Sequence, residues 1–135
     1  MSQSVILIVE DDPSLREALT QTLELAGYAV AAAPDGRSAL DILGERQVAM
    51  VLSDVQMKPM DGHVLLRHVK ARQAELPVVL MTAFGTIEKA VEAMHDGAAN
   101  YLVKPFAAEV LVEMVGRYVV PPSQADAIRG SADLL

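Results

Sequence analysis

Five short apolar runs alternate with longer amphipathic segments along the chain. The runs cover residues 5–10, 28–33, 48–53, 77–82 and 99–103. Short apolar runs are typical of buried strands, and amphipathic stretches between them are typical of helices that connect parallel strands. The pattern therefore predicts an α/β fold with a five-stranded parallel sheet covered by helices. Because the run at 48–53 is almost entirely apolar, we expect it at the centre of the sheet.

Helix start and stop signals mark the segments between the runs. The first helix is expected to begin at Pro13, after an aspartate able to cap it, and to end before Gly27. The predicted helices cover residues 13–26, a segment around 38–43, a segment around 64–69, residues 87–96 and residues 107–119. Two consecutive prolines, at 121 and 122, break the last one.

The length of the chain fits one domain. With 135 residues, of which 52% are hydrophobic, the chain can bury a core of ordinary size but not two. We therefore predict a single domain over residues 1–119. Residues 120–135 are interpreted as a linker, or as the start of an extension towards a further domain.

Charge and composition exclude several classes of protein. A net charge of −7 argues against direct nucleic-acid binding, which needs clustered Lys and Arg, and against an anionic membrane surface. The absence of cysteine rules out disulfides and thiolate chemistry. The amino terminus lacks the features of a signal peptide, and no apolar run is long enough to cross a membrane. We expect a cytoplasmic protein.

Polar residues with chemical potential follow four of the five runs. The acidic pair Asp11 and Asp12 follows the first run, Asp54 follows the third, Thr82 ends the fourth and Lys104 follows the fifth. Because parallel strands deliver their carboxyl ends to one edge of a sheet, we expect these side chains to meet there. Three carboxylates in one crevice repel each other unless a cation neutralises them. Hard oxygen ligands of this kind suit Mg²⁺, or Mn²⁺ as a second possibility.

The residue types at this edge are those of phosphoryl transfer. Asp54 is the candidate nucleophile, because a carboxylate can accept a phosphoryl group when a metal offsets the charges. Asp12 is the expected metal ligand, and Asp11 is expected to hold metal-bound water or to share the metal. Gln56 can offer its backbone carbonyl as a further oxygen ligand.

The cation and the hydroxyl complete the predicted site. Lys104 supplies the positive charge that a transferred phosphoryl group needs, and the hydroxyl of Thr82 can donate to a phosphate oxygen. Each of these residues taken alone has a plainer interpretation. An aspartate after a strand usually caps a helix or forms a turn, which applies to Asp11 and Asp12 singly. Their joint placement at four strand ends favours the site.

These motifs together resemble the receiver domain of two-component response regulators. The resemblance covers about residues 4–119 and rests on the acidic segment Val9-Glu10-Asp11-Asp12, the acceptor loop Ser53-Asp54-Val55-Gln56-Met57 with Met60-Asp61-Gly62, the strand end Met81-Thr82-Ala83, the pair Gly97-Ala98, and Tyr101 with Lys104-Pro105-Phe106. Any one of these motifs is weak, but the set is specific. It implies a flavodoxin-like (βα)5 fold with strand order 2-1-3-4-5 and helices on both faces.

The resemblance also implies a function. Asp54 would accept a phosphoryl group from a sensor histidine kinase, with Mg²⁺ held by Asp12, Asp54 and the Gln56 carbonyl and with Asp11 in support. Thr82 and Tyr101 would form a switch that alters the surface of the fourth helix, fifth strand and fifth helix. Such a domain catalyses only its own phosphorylation and dephosphorylation, and is not an enzyme that acts on a metabolite.

The segment from Thr82 to Val91, with Tyr101, is similar to receivers of enhancer-binding, sigma-54 activators of the nitrogen-regulatory (NtrC-like) class. That similarity implies an output part with an ATPase and a DNA-binding domain that controls transcription. Some positions on the last helix, such as Val110, could serve a homodimer face. One departure from the family pattern is Lys58, which stands where Pro is usual, with Pro59 one residue later.

Two other functions remain open at this point. An aspartyl-phosphate phosphatase of the haloacid-dehalogenase type also uses a strand-end Asp and Mg²⁺, but it needs a second Asp two residues later, where this chain has Gln56. A receiver-like binding module that is never phosphorylated would keep the fold without the chemistry. A Rossmann-like nucleotide binder fails because no glycine-rich loop follows the first strand.

Overall fold

Five strands and five helices alternate along the chain in the computed structural model, which describes residues 4–120. The elements are β1 (Val5–Val9), α1 (Pro13–Leu25), β2 (Val30–Ala33), α2 (Gly36–Glu45), β3 (Val48–Asp54), α3 (Gly62–Arg72), β4 (Val78–Thr82), α4 (Ile87–His95), β5 (Asn100–Val103) and α5 (Ala108–Gly116). The predicted alternation is confirmed, and most boundaries differ from the prediction by one to three residues. Within residues 4–120, none of the helices could cross a bilayer. Residues 121–135, which belong to the predicted linker, lie outside the described part.

All five strands form one parallel sheet in the order β2-β1-β3-β4-β5. The flavodoxin-like strand order is confirmed, and β3 lies at the centre as its apolar sequence predicts. The register places Asp54 opposite Met81 on β4, and Thr82 opposite Val103 on β5. The carboxyl ends of β1, β3, β4 and β5 therefore share one edge of the sheet.

Helices cover both faces of the sheet and divide the core into two layers. Alternate residues of β1 point to opposite faces, so that Leu7 lies in one layer and Ile8 in the other. The first layer packs on α2, α3 and α4 through residues such as Leu43 and Leu65. The second layer packs on α1 and α5 through residues such as Leu23 and Leu111.

Four helices begin at a side-chain cap. The carboxylates of Asp12, Asp35 and Asp61 and the hydroxyl of Thr86 accept hydrogen bonds from backbone N–H groups in the first turn of α1, α2, α3 and α4. These caps satisfy N–H groups that have no partner inside the helix. All four caps lie in loops that follow the carboxyl ends of strands, which is the edge of the sheet that carries the acidic residues described next.

Candidate functional site

Three carboxylates meet at the carboxyl edge of the sheet. Glu10 and Asp11 follow β1, Asp54 ends β3, and one carboxylate oxygen from each lies within 4.8 Å of the others. Glu10 and Asp54 are buried, whereas Asp11 is exposed. Three like charges at this distance repel unless a cation lies between them. We call Glu10, Asp11 and Asp54 the acidic cluster; it could hold a divalent metal ion.

Lys104 enters the acidic cluster from the end of β5. Its Nζ donates to Glu10 Oε1 at 2.8 Å and to Asp54 Oδ1 at 3.0 Å, and its backbone N–H donates to the Thr82 carbonyl at 2.7 Å. Burial alone lowers the pKa of Lys104, but the hydrogen bonds and charges of the two carboxylates more than offset this, so its pKa is raised. The ammonium therefore stays charged beside the candidate nucleophile at neutral pH.

Glu10 is held from three directions. Its carboxylate accepts from the Lys104 ammonium and from the backbone N–H of Asp12, and its backbone carbonyl accepts from Arg16 Nη1 at 2.9 Å. Burial raises the pKa of the Glu10 carboxyl, although the hydrogen bond from Lys104 acts in the opposite direction. Glu10 is thus a buried, positioned carboxylate and not a residue of the apolar strand.

The sequence predicted a cluster of Asp11, Asp12 and Asp54, whereas the structure brings Glu10 together with Asp11 and Asp54. Asp12, predicted as the metal-ligating partner of Asp54, lies outside the acidic cluster and caps α1: its Oδ1 accepts from the backbone N–H of Ser14 at 3.0 Å and of Leu15 at 3.5 Å. Glu10 takes the place beside Asp54. The sequence contains the signal for this, because an aspartate directly before Pro13 at the first helical position is the expected cap.

Thr82 and Gln56 face each other beside Asp54. Thr82 is completely buried, and its Oγ1 accepts from the backbone N–H of Phe84 at 3.0 Å. The Gln56 amide lies on the same hydroxyl, with Nε2 at 2.9 Å and Oε1 at 3.1 Å. The sequence offered no signal for this side-chain contact, because it depends on the path of the loop that follows β3.

A shallow cavity adjoins the acidic cluster on the side of the acceptor loop. Asp11, Gln56, Met57 and Lys58 line it. Gln56 and Asp11 therefore border the same opening. Lys58, the departure from the family pattern, is exposed and places a cation at this opening.

Tyr101 lies one strand away from the acidic cluster, on β5. Its ring is half-buried and packs on the core layer beneath α4. Its hydroxyl is buried, and it has no hydrogen-bond partner among residues 4–120. A buried hydroxyl without a partner costs free energy. Another position of the ring in which this hydroxyl found a partner would therefore be favoured.

The start of α3 packs directly on the backbone of Asp54, the candidate acceptor. Gly62 N–H donates to the Val55 carbonyl at 2.9 Å, and a Cβ added at Gly62 would overlap the Asp54 carbonyl oxygen and lie 2.9 Å from Val55 Cα. The acceptor strand and α3 approach so closely only because residue 62 has no side chain. Gly62 therefore positions Asp54, a role that the sequence analysis did not predict.

The edge of this parallel sheet combines an acidic cluster that could hold a cation with a lysine and a buried threonine. The family model described as "Response regulator receiver domain" matches residues 6–116. The chain belongs to this family. Its members are signalling switches of two-component systems, not enzymes in the usual sense.

Several relatives share this domain. The chain is 48% identical over 124 residues to the response regulator protein FleR of Pseudomonas aeruginosa, and 38% identical over 119 residues to the DNA-binding transcriptional regulator NtrC of Klebsiella pneumoniae. The two matches include 90% and 88% of this chain, but only 26% and 25% of the respective relatives. The chain thus spans about a quarter of the length of these regulators.

Solved structures of the family have the same fold. The receiver domain of NtrX from Brucella abortus superposes with a TM-score of 0.79 at 34% identity, covering 84% of this chain and 96% of that one. The Vibrio cholerae chemotaxis protein CheY4 superposes with a TM-score of 0.82 at 32% identity, covering 87% of this chain and 100% of that one. The receiver fold predicted from the sequence is confirmed.

Proposed function

We propose that the chain is a phosphorylation-activated signalling switch whose acceptor is Asp54. A sensor histidine kinase supplies the phosphoryl group, and the product changes the surface formed by α4, β5 and α5. The observation that carries this proposal is the position of Lys104 Nζ, which bridges Glu10 and Asp54 inside the acidic cluster. A lysine in that position can pair with Asp54 before the transfer and with a phosphoryl oxygen once Asp54 has become an acyl phosphate.

The donor atoms of the acidic cluster fit Mg²⁺ or Mn²⁺. They are hard carboxylate oxygens at an open edge, and one of the three carboxylates is exposed, which leaves room for water ligands. We assign the ion to Glu10, Asp11 and Asp54, with the Gln56 carbonyl as a further oxygen ligand. When bound, the ion supplies the positive charge that lets an anionic donor approach an anionic acceptor.

The side chains then have separate tasks in the transfer. A carboxylate oxygen of Asp54 forms a bond to phosphorus while the bond from phosphorus to the donor imidazole breaks. The imidazole, whose other ring nitrogen already carries a proton, leaves as a neutral group. Lys104 pairs with an oxygen of the transferred group. Water later cleaves the acyl phosphate, so the chain acts only on its own phosphorylation state.

Thr82 and Tyr101 are proposed to change position when Asp54 is phosphorylated. A phosphoryl group adds about two negative charges and three acceptor oxygens beside Thr82. The Thr82 hydroxyl turns to this group, and the Tyr101 ring moves into the space behind it, which gives its hydroxyl access to a new partner. The two packings form a two-state element that phosphorylation biases.

The surface that responds is apolar. Phe84, Ile87 and Val91 in and before α4, and Val103 on β5, are exposed. We propose that it contacts an output part, consisting of an ATPase and a DNA-binding domain, or a second copy of the chain. The identity with transcriptional regulators such as NtrC supports this, as does the fraction of those relatives that the chain leaves uncovered. DNA binding is assigned to that output part.

Incubation with Mg²⁺ and a small acyl-phosphate donor is expected to add one acid-stable, base-labile phosphoryl group to Asp54. Intact mass and peptide mapping check this, and Asp54→Asn is expected to remain unmodified. Chelation with EDTA should stop the reaction because the acidic cluster then repels the donor.

The same experiment separates the alternatives. No modification under these conditions would favour a binding module without phosphorylation. Rapid, repeated release of phosphate from many substrates would favour a phosphatase. The contact of Gln56 with Thr82, and the amide in place of a carboxylate, argue against that function in advance.

Replacement of Asp11 and replacement of its neighbour Asp12 are expected to have different effects, one on Mg²⁺ affinity and the other on stability. Asp12→Ala should lower the free energy of unfolding by about 1 kcal/mol, the usual cost of a lost helix cap, and leave Mg²⁺ affinity almost unchanged. Asp11→Ala should weaken Mg²⁺ binding by about tenfold or more, because it removes one of three carboxylate ligands, with little loss of stability. Urea unfolding and calorimetric Mg²⁺ titration measure the two effects. The reverse result would return Asp12 to the metal site.

A further inference from the structure

The side chain of Gln56 folds back over a buried hydroxyl. Gln56 itself is exposed to solvent, whereas Thr82 is completely buried. An exposed glutamine gains little from ordering its side chain, since water can satisfy its amide. Its position over Thr82 therefore matters chiefly for the threonine, whose hydroxyl would otherwise lack partners on that side.

The hydroxyl of Thr82 has two hydrogen-bonding neighbours among residues 4–120, the backbone N–H of Phe84 and the amide of Gln56. A hydroxyl has one donor and two acceptor positions. The Phe84 N–H occupies one acceptor position at 3.0 Å. Gln56 Nε2 and Oε1 belong to one amide group and lie in nearly the same direction from Oγ1, so the hydroxyl cannot accept from Nε2 and donate to Oε1 at the same time. When its proton is directed to Gln56 Oε1, at 3.1 Å, Thr82 must break that bond to donate to any other group.

We infer that Gln56 is a positioning residue that competes with the phosphoryl group for the proton of Thr82. This inference rests on the proposed function, in which Thr82 donates to the phosphoryl group on Asp54. The amide of Gln56 stabilises the unmodified state by satisfying the buried hydroxyl. In the modified state Thr82 turns to a phosphoryl oxygen, and the released amide is hydrated at the surface. Gln56 thereby lowers the population of the switched state before phosphorylation.

Removal of the amide is expected to favour the phosphorylated arrangement. In Gln56→Met the side chain keeps its length but can no longer bond to Thr82, so the unmodified state contains a buried hydroxyl with one partner fewer. The cost falls only on that state. Affinity for fluoroberyllate, a non-covalent mimic of a carboxylate-bound phosphoryl group, should rise by about fivefold, the effect of one neutral hydrogen bond.

A double-mutant cycle tests whether the effect passes through Thr82. The same substitution is made in the Thr82→Ala background, and fluoroberyllate binding with saturating Mg²⁺ is titrated by calorimetry for all four proteins. The gain from Gln56→Met should disappear without the Thr82 hydroxyl. A gain that persists in the Thr82→Ala background would mean that residue 56 acts on the ligand directly, and would overturn the inference.

Lys58→Met is the matched control, because Lys58 lies on the same loop and lines the same cavity but makes no hydrogen bond to Thr82 within the described residues. Its effect should be equal in both backgrounds. Thermal unfolding confirms that each variant is folded at the titration temperature. Equal affinities for wild type and Gln56→Met would overturn the inference while leaving the switch intact. Failure of every variant to bind fluoroberyllate and to accept a phosphoryl group would overturn the proposed function itself.

Discussion

Lys104→Met is expected to block the phosphorylation switch and, at the same time, to tighten Mg²⁺ binding. Lys104 is the cation that Glu10 and Asp54 share, at 2.8 and 3.0 Å, and both carboxylates are almost completely buried. Without the ammonium, the two carboxylates repel each other and the exposed Asp11 adds to the repulsion. A divalent cation relieves this repulsion, so its affinity rises even though the site can no longer stabilise a phosphoryl group.

The metal-free variant should also lose stability. Breaking a buried ion pair by removing one partner leaves an uncompensated charge, and we expect a loss of about 2–3 kcal/mol because Lys104 is itself partly exposed. Saturating Mg²⁺ should restore much of this loss. Urea unfolding with and without Mg²⁺, together with mass spectrometry after treatment with an acyl phosphate, measures all three effects.

Lys70→Met provides the comparison for a second partly buried lysine. Among residues 4–120, the Nζ of Lys70 donates only to the backbone carbonyls of Ala74 and Leu76, and burial lowers its pKa. This variant should lose some stability without any change in Mg²⁺ affinity or phosphorylation. If Lys104→Met left Mg²⁺ affinity unchanged, the acidic cluster could not be the metal site that we propose.

Gly62→Ala is expected to destabilise the fold and to impair the acceptor together. A methyl group at this position would overlap the Asp54 carbonyl oxygen. It would also lie 2.9 Å from Val55 Cα, so it cannot move aside in that direction. Both obstacles are backbone atoms, so the start of α3 must move away from β3. Overpacking of this kind costs about 2–3 kcal/mol. The shift also moves the backbone that carries the nucleophile.

Gly44→Ala is the matched control for Gly62→Ala. Gly44 lies within α2, and a Cβ added there meets nothing within 4 Å. Alanine in a helix is favoured over glycine, so this variant should gain about 0.5–1 kcal/mol. Urea unfolding and the initial phosphorylation rate distinguish the two glycines. Equal stabilities for the two variants would show that the close approach at Gly62 is relaxed in solution.

The residues of the site were predictable to different degrees. Asp54 and Lys104 follow apolar runs directly, so their place at one edge depended only on the parallel topology. The choice among three consecutive acids was harder. Strand periodicity alone cannot say where β1 ends and the capping position of α1 begins, and that boundary decides whether Glu10 or Asp12 joins the acidic cluster.

Other long-range contacts were not predictable from the sequence. The contact between Gln56 and Thr82 joins the ends of neighbouring strands, but its existence depends on the path of the acceptor loop. The close packing of Gly62 on the acceptor is similar: the sequence marks a glycine, and only the assembled helix and strand show which backbone atoms it must avoid.

By itself the sequence determined the order of strands and helices, the parallel sheet and the edge at which the polar residues gather. Those features follow from local hydrophobic period, capping residues and chain connectivity, which are all properties of short segments. Only the tertiary structure decided that Glu10 rather than Asp12 faces Asp54, and that Gln56 covers Thr82. Side-chain direction at the end of a strand depends on where the next element packs, and no local pattern contains that information.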